Sequence, residues 1–220
     1  LDEMFDKIDE GTLEEFVIID PDFMANDDHP SHNIMLGQMF ISLIYEAIAQ
    51  SEYWNKCMIV ITYDEHGGFY DHVVPPTTTD VEGPEFAQMG FRVPSVVVGP
   101  YVRQGCVVSD VLEHASIAAT ATAKWGLPPL NDRAAAATDL SVCIDPSLFG
   151  KPTPPKKLRT LTLSKSQIMA EVGKTTSQDE LFEALGIELP LPPDVDKRYR
   201  KGVLKLLARA EKLGVVKLRS

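Results

Sequence analysis

The chain has 220 residues, 44% of them hydrophobic, which is enough to bury a full core. Residues 1–150 carry a net charge of −18, with 6 Lys and Arg against 24 Asp and Glu, whereas residues 151–220 carry +7, with 15 against 8. The acidic part argues against nucleic-acid binding, and no apolar run reaches the length of a membrane-spanning helix. We therefore predict a main domain at 1–150 and a basic linker with a helical accessory tail at 151–220.

Apolar periodicity, capping residues and turn residues predict the secondary structure along the chain. The expected elements are a helix within Leu1–Leu13, a strand at Phe16–Ile19, a helix from Asn33 to near Ser51, strands at Met58–Thr62 and Val93–Val98, an edge strand around Cys106–Val108, a helix at His114–Trp125, helices capped at Ser164 and Ser177, and a helix at Asp194–Leu213. The order strand, helix, strand near the start favours a right-handed parallel βαβ unit. We expect an α/β fold with a parallel or mostly parallel sheet flanked by helices, whose loops meet at the carboxyl edge of the sheet.

The stretch richest in chemical groups is Cys57–Pro76, with the sequence CMIVITYDEHGGFYDHVVPP. Its first residues predict a buried strand, and carboxylates follow at Asp64 and Glu65. Adjacent side chains of an extended strand point to opposite faces, so both carboxylates reach one ion only if the strand has ended. Gly67 and Gly68 permit that ending. Asp64 and Glu65 are therefore candidate metal ligands, with a pair of solvated loop carboxylates as the alternative.

Two histidines in the same stretch, His66 and His72, are weaker candidates. A histidine beside a ligand often supports it by a hydrogen bond instead of binding the ion. We expect His66, Asp71 and His72 to form such a supporting set, and His72 has the alternative of a residue that caps the loop.

A second cluster lies in the sequence NDDHPSHN. Asp28 and His29 have the chemistry to ligate a metal or to hydrogen-bond a phosphoryl oxygen, and Pro30 keeps His29 out of helical geometry. The alternative is an acidic surface loop with His32 near a helix start, and to that alternative we assign Asp27 and His32.

His114 opens a helix of small residues and is either a site residue or a half-buried structural histidine. The three cysteines have no CxxC spacing and are expected to be reduced and buried. Hard oxygen ligands with a few imidazoles and no thiolate suit a divalent ion such as Mg, Ca, Mn or Zn, which acts in hydrolysis.

The motifs NDDHPSHNIMLGQ, TYDEHGGFYDHVVPP, RVPSVVVGPYVRQG and EHASIAATATAKWGLPPLNDR stand in this order between about Asp20 and Arg133. Together they closely resemble the phosphoesterase family of bacterial and plant phospholipases C, which also includes an acid phosphatase. The resemblance implies an alkaline-phosphatase-like α/β fold and metal-dependent hydrolysis of phosphate esters, with phospholipids among the substrate classes. It also makes a secreted or periplasmic location an option, while the compartment and the oligomeric state stay open.

In the family pattern, Asp64 and Glu65 match the carboxylates that hold the active-site metal, and His29 matches an active-site histidine. His114 is similar to the late histidine of the wider superfamily's metal site, and His66 and Asp28 would flank these groups. The family's early Glu-Asn ligands and its hydroxyl nucleophile are expected in a segment before Leu1. Residues 1–150 would then be the C-terminal portion of the catalytic domain.

Two further expectations concern the chain as a whole. A truncated or degenerate homologue that keeps the fold but only binds or scaffolds is the alternative to an enzyme. The basic stretch Lys197–Lys217 predicts either an amphipathic helix on a membrane surface or an accessory helix with a solvated basic face.

Overall fold

A computed structural model describes residues 1–22, 26–30, 32–172, 183, 184, 186 and 193–219. The helix predicted to be capped at Ser177 lies outside these residues. The chain forms two compact units, Leu1–Trp54 with Pro155–Ser220 and Asn55–Pro154. The fold is mixed α/β, with helices and two small two-stranded sheets among the described residues. The functional boundary predicted at residue 150 stays a prediction.

Two helices open the first unit and confirm the helices predicted there. Helix α1 spans Asp2–Glu10, and it ends at Gly11, whose φ of 72° is left-handed. Helix α2 spans Ile34–Ala49, and the side chain of Asn33 caps it by accepting a hydrogen bond from the Met35 N–H at 3.0 Å. Such a side chain satisfies a backbone donor that has no partner within the helix. The buried side chains of the two helices include Phe5, Met39, Phe40 and Leu43.

The same unit contains a parallel pair of strands near the C-terminus. Strand β3, Leu161–Ser164, pairs with strand β4, Val216–Arg219. Helix α5, Lys165–Glu171, begins after Ser164, whose hydroxyl accepts the N–H of Gln167 at 3.3 Å, as the capping pattern predicts.

Helix α6, Pro193–Lys212, confirms the last predicted helix. Its apolar residues Val203, Leu207 and Ala210 are buried. Its basic residues Lys205 and Arg209 lie 3.4 and 3.3 Å from carboxylates of α1. The apolar face of α6 is therefore occupied by packing within its own unit. Among the described residues, no helix is long and apolar enough to cross a membrane.

The second unit is built around an antiparallel pair of strands. Strand β1, Ile59–Thr62, and strand β2, Ser95–Val98, confirm two predicted strands, and their register runs from Ile59↔Val98 to Thr62↔Ser95. The burial predicted for β1 is wrong, since its four residues are only half-buried. The parallel arrangement predicted for the sheet is wrong for this pair. A parallel crossover usually contains a helix, and the connection from β1 to β2 contains only one short 3₁₀ turn at Pro84–Phe86.

Two other strand predictions are wrong. Phe16–Ile19 forms no strand, and Ile18 is largely exposed, so the predicted βαβ unit loses its first strand. Cys106–Val108 is also irregular, and Val107 is exposed. A short apolar run becomes a strand only when another strand pairs with it, and that partner is not encoded locally.

The antiparallel pairing also changes where the loops lie. The carboxyl end of β1, which leads to Asp64, lies beside the amino end of β2. The turn at Gly99–Pro100 follows the opposite end of this sheet. The loops that follow β1 and β2 therefore lie at opposite ends of this sheet and do not meet at one edge, contrary to the prediction.

Helix α3, Ala115–Trp125, confirms the helix predicted after His114 and ends at the left-handed Gly126, with φ 64°. Helix α4, Asp132–Ala136, follows and is capped by Asn131, whose side chain accepts the Ala134 N–H at 2.9 Å. The two helices pack together in the second unit and bring the residues before α3 close to the residues around α4.

All three cysteines are free thiols, as predicted. Cys143 is buried and Cys57 is half-buried, and burial raises the pKa of the Cys57 thiol to about 11. The prediction of burial is wrong for Cys106, which is exposed.

Candidate functional site

The residues that follow β1 form a tight turn, which we call the donor turn and define as residues 64–70. Gly67 and Gly68 have φ values of 66° and 77°, which side chains other than glycine rarely adopt. The N–H of Gly67 donates to Oε2 of Glu65 at 2.7 Å, and the N–H of Phe69 donates to the carbonyl of His66 at 3.1 Å. Strand β1 has therefore ended at Thr62, before the predicted ligands, and the glycine pair forms a tight turn just beyond them.

The donor turn presents its two carboxylates to solvent, since Asp64 and Glu65 are both exposed. Within the described part of the chain, no group of three or more His, Cys, Asp or Glu side chains is arranged to hold a metal ion. Two carboxylates fit the hard-ligand chemistry of a divalent ion, but they do not complete its coordination. The assignment of Asp64 and Glu65 as metal ligands therefore stays a prediction.

His114 lies beside the donor turn. Its Nε2 is 2.8 Å from the carbonyl oxygen of Tyr63, the residue immediately before Asp64. The imidazole N–H donates and the carbonyl accepts, which fixes the tautomer of the ring. This contact brings together two candidates that are fifty residues apart in the sequence.

The segment that carries His114 is held by an arginine between two carboxylates. The guanidinium of Arg133 donates from Nε to Glu113 at 2.7 Å and from Nη1 to Asp80 at 2.6 Å. The bonds to Glu113 and Asp80 raise the pKa of Arg133. The pKa of Asp80 is lowered by the Glu82 backbone N–H and by Arg133. Ser116 is buried and accepts the Glu113 N–H at 3.0 Å, so its hydroxyl has a structural role here.

The far end of the donor turn is held by an ion pair. Asp71 accepts from Nε of Arg92 at 2.6 Å and from Nη2 at 2.8 Å. The Arg92 guanidinium holds the pKa of the Asp71 carboxyl well below its usual range. His66 packs edge-on against Phe91, with ring centroids 4.9 Å apart, and its Nδ1 lies 3.1 Å from the carbonyl of Phe69.

The other predicted histidine of this stretch, His72, has a side chain that is 83% exposed, with Nδ1 3.5 Å from Oδ1 of Asp71. The supporting role predicted for His66, Asp71 and His72 stays a prediction. The sequence contained no signal for Arg92, because an arginine pairs with a carboxylate twenty-one residues away only through the fold.

The second cluster belongs to the other unit, where it precedes α2. The carboxylate of Asp28 lies against Gly37 so closely that a Cβ atom there would come within 1.9 Å of Oδ1. His29 is partly exposed, and its Nδ1 lies 3.1 Å from the carbonyl of Pro30. The absence of a side chain at Gly37 is therefore what permits the position of Asp28.

His32 lies near the start of α2, as predicted, but the surface position predicted for Asp27 and His32 is wrong. Both side chains are largely buried, and His32 Nδ1 contacts Oδ1 of Asp27. The rings of His29 and His32 lie 6.3 Å apart. An aspartate five residues before a histidine is a weak sequence signal, because the intervening Pro30 turn is what brings the two side chains together.

The predicted site residues therefore form two local clusters. Asp64, Glu65, His66, His72 and His114 lie in the second unit, and Asp28 and His29 lie in the first. The structure brings His114 to the donor turn and places Asp28 and His29 at the start of α2.

Comparison with known proteins gives these clusters a family context. Residues 1–128 match the model of the Phosphoesterase family. The chain is 40% identical to non-specific phospholipase C6 of Arabidopsis thaliana over 50% of this chain and 26% of that protein. It is 31% identical to phospholipase C A of Mycobacterium tuberculosis over 62% of this chain and 29% of that protein.

The match to non-specific phospholipase C4 of Arabidopsis thaliana is similar, with 39% identity over 50% of this chain and 25% of the relative. The chain thus spans about a quarter of the length of the curated relatives that it matches. The family match covers more than half of the chain and includes the donor turn and both histidines, His29 and His114. The chain belongs to the phosphoesterase family.

Proposed function

We propose that this chain contributes to a metal-dependent hydrolase of phosphate esters, of the phospholipase C or acid phosphatase type, on an alkaline-phosphatase-like fold. The observation that carries the proposal is the donor turn, where two exposed carboxylates follow a strand and a histidine is hydrogen-bonded to the residue before them. The family membership and the phospholipase C relatives support the same reaction class.

In this proposal Asp64 and Glu65 supply two ligands to a divalent ion such as Mg, Ca, Mn or Zn. The ion would offset the negative charge that gathers on a phosphoryl group during hydrolysis. Because the described residues do not form a complete ligand set, the remaining ligands come from elsewhere in the protein. The hydrogen bond from the Gly67 N–H holds the Glu65 carboxylate in one orientation before any ion binds.

The two histidines are proposed to handle protons and phosphoryl oxygens. An imidazole N–H can donate a proton to a leaving alcohol or a hydrogen bond to a phosphoryl oxygen. His114 also holds the backbone of the donor turn through the Tyr63 carbonyl. His29 lies beside the Asp28 carboxylate in sequence and is partly exposed.

The proposed substrates are phosphate monoesters and phospholipids, the latter because the relatives are named as phospholipases C. The acidic surface of the chain would repel a phosphate ester unless a cation neutralised the site. The incomplete ligand set among the described residues gives some weight to the second candidate function, a homologue that binds without catalysis.

Removal and replacement of the ion tests the proposal. The protein that carries this chain is treated with a chelator, and hydrolysis of p-nitrophenyl phosphate and of phosphatidylcholine is measured before and after Mg²⁺, Ca²⁺, Mn²⁺ or Zn²⁺ is returned. We expect the chelator to abolish hydrolysis and at least one ion to restore it. Hydrolysis that persists at full rate in the chelator contradicts metal dependence, and no hydrolysis with any ion favours the non-catalytic homologue.

A further inference from the structure

We propose that Asp71 and Arg92 form a positioning clamp that holds the donor turn in its binding geometry. The two residues are not ligands in this scheme, and they act through the turn that carries Asp64 and Glu65. The role of the clamp in metal binding rests on the proposed function. Its effect on the conformation of the donor turn does not.

The clamp closes a short loop whose other end is already fixed. Thr62 and Ser95 form the last pair of the β1–β2 ladder, and their hydroxyl oxygens lie 2.7 Å apart. Arg92 precedes Ser95 by three residues, and Asp71 follows Thr62 by nine. The ion pair therefore fastens the exit of the donor turn to the same chain segment that fastens its entry. Closing both ends of a flexible loop lowers the number of conformations that it samples.

The chemistry of the pair suits a clamp. Two parallel N–H···O bonds of 2.6 and 2.8 Å fix both the distance and the orientation of the two planar groups. The Asp71 side chain is only 13% exposed, whereas the Arg92 side chain is 58% exposed. Asp71 is thus the sheltered anchor, and its carboxylate also accepts the N–H of Val73 at 3.2 Å.

A second contact joins the same two segments. Phe91 immediately precedes Arg92, and its ring packs edge-on against His66 within the donor turn at 4.9 Å. The chain before β2 therefore contacts the turn through an aromatic pair and its exit through an ion pair. Because a preorganised ligand turn loses less conformational freedom when an ion binds, loosening either contact should weaken binding.

Amide hydrogen exchange tests the clamp directly. The reporters are the N–H groups of Gly67 and Phe69, whose hydrogen bonds define the donor turn. The internal reference is the set of amides in the β1–β2 ladder. We expect Arg92→Ala to raise the exchange rates of Gly67 and Phe69 by about three- to tenfold while the ladder amides keep their rates.

Four further variants test the clamp more closely. Asp71→Asn should reproduce the effect, and the double variant with Arg92→Ala should add nothing to it, because both changes break one interaction. Arg92→Lys should give an intermediate effect, since an ammonium cannot form the two parallel bonds. Arg103→Ala, which removes an exposed arginine bonded to the Ile144 carbonyl, is the matched control and should leave the turn unchanged.

Titration with Mn²⁺, followed through paramagnetic broadening of the Gly67 amide, links the clamp to the ion. We expect the dissociation constant to rise several-fold in Arg92→Ala. Exchange at Gly67 and Phe69 that stays at the wild-type rate, or that rises equally in the ladder, overturns the clamp. If exchange changes as expected but no variant, including the wild type, hydrolyses a phosphate ester, the clamp stands and the proposed function fails.

Discussion

His114 donates a hydrogen bond of 2.8 Å from its Nε2 to the carbonyl oxygen of Tyr63. Tyr63 directly precedes Asp64, so the first residue before α3 holds the backbone from which the proposed ligands extend. The contact gives His114 a structural role in addition to the proton-handling role proposed for it.

Substitution of His114 separates these two roles. We expect His114→Ala to lower kcat/KM for a phosphate ester by about 10²-fold, because both the carbonyl bond and the titratable group are lost. His114→Gln should be less damaging, since an amide N–H can still donate to the Tyr63 carbonyl. Equal losses in the two variants, measured by steady-state kinetics, would show that the carbonyl bond contributes nothing.

The two glycines of the donor turn lead to a prediction about backbone strain. A Cβ atom at Gly68 would meet no atom within 4 Å, so any cost of Gly68→Ala comes from its φ of 77°. We expect a loss of about 1–2 kcal/mol in the free energy of unfolding, measured by denaturant titration. Gly90→Ala is the matched control, because Gly90 has equal space and no positive φ, and it should be close to neutral. Equal effects in the two variants would rule out strain as the cause.

The contact between Asp28 and Gly37 predicts that replacing Gly37 by alanine destabilises the protein. The same replacement at Gly202, another helical glycine, should stabilise it. Gly37→Ala would place a Cβ atom 1.9 Å from Oδ1 of Asp28, and we expect it to destabilise the protein by about 1–3 kcal/mol. Gly202→Ala in α6 meets no atom within 4 Å and should stabilise it by about 0.5–1 kcal/mol. Thermal unfolding of both variants checks the pair, and stabilisation by Gly37→Ala would contradict the observed placement of Asp28.

The ion pair of Asp71 with Arg92 predicts a specific dependence on pH. Arg92 lowers the pKa of Asp71 in the folded protein below the value near 3.9 that Asp71 has in the unfolded chain. The ion pair therefore stabilises the folded protein fully above that unfolded pKa, and this stabilisation is lost as the pH falls toward the folded pKa. Wild type and Arg92→Ala should therefore differ in stability at pH 7 and converge as the pH falls below about 4. Denaturant titrations between pH 2 and 7 measure this difference. A difference that is unchanged at the lowest pH would exclude Asp71 as the source.

Local features of the fold could be predicted from the sequence. The beginning of α2 at Asn33 and the end of α3 at Gly126 follow from capping chemistry within one turn of helix. The turn at Gly67 and Gly68 is local in the same sense, because glycine readily adopts the left-handed conformation that most other residues avoid. These features needed no knowledge of distant contacts.

The errors concern contacts between distant residues. The direction of pairing between β1 and β2 depends on the course of the long connection between them, and the apolar run Phe16–Ile19 gives no information about its partner. The same limit applies to the candidate site. The ion pair of Arg92 with Asp71 and the buried contact of Asp27 with His32 form only when the chain folds. The sequence predicts candidate ligands, whereas the contacts of these side chains with distant residues depend on the fold.

The central claim is that Asp64 is a ligand in a phosphoesterase site, and the most direct measurement is the rate of divalent-ion-dependent phosphate release by Asp64→Ala in the protein that carries this chain. We predict a loss of about 10²–10³-fold or more relative to wild type, with unchanged thermal unfolding. Glu85→Gln, which alters another exposed carboxylate of the same unit, should retain the wild-type rate. Full activity in Asp64→Ala would contradict the account.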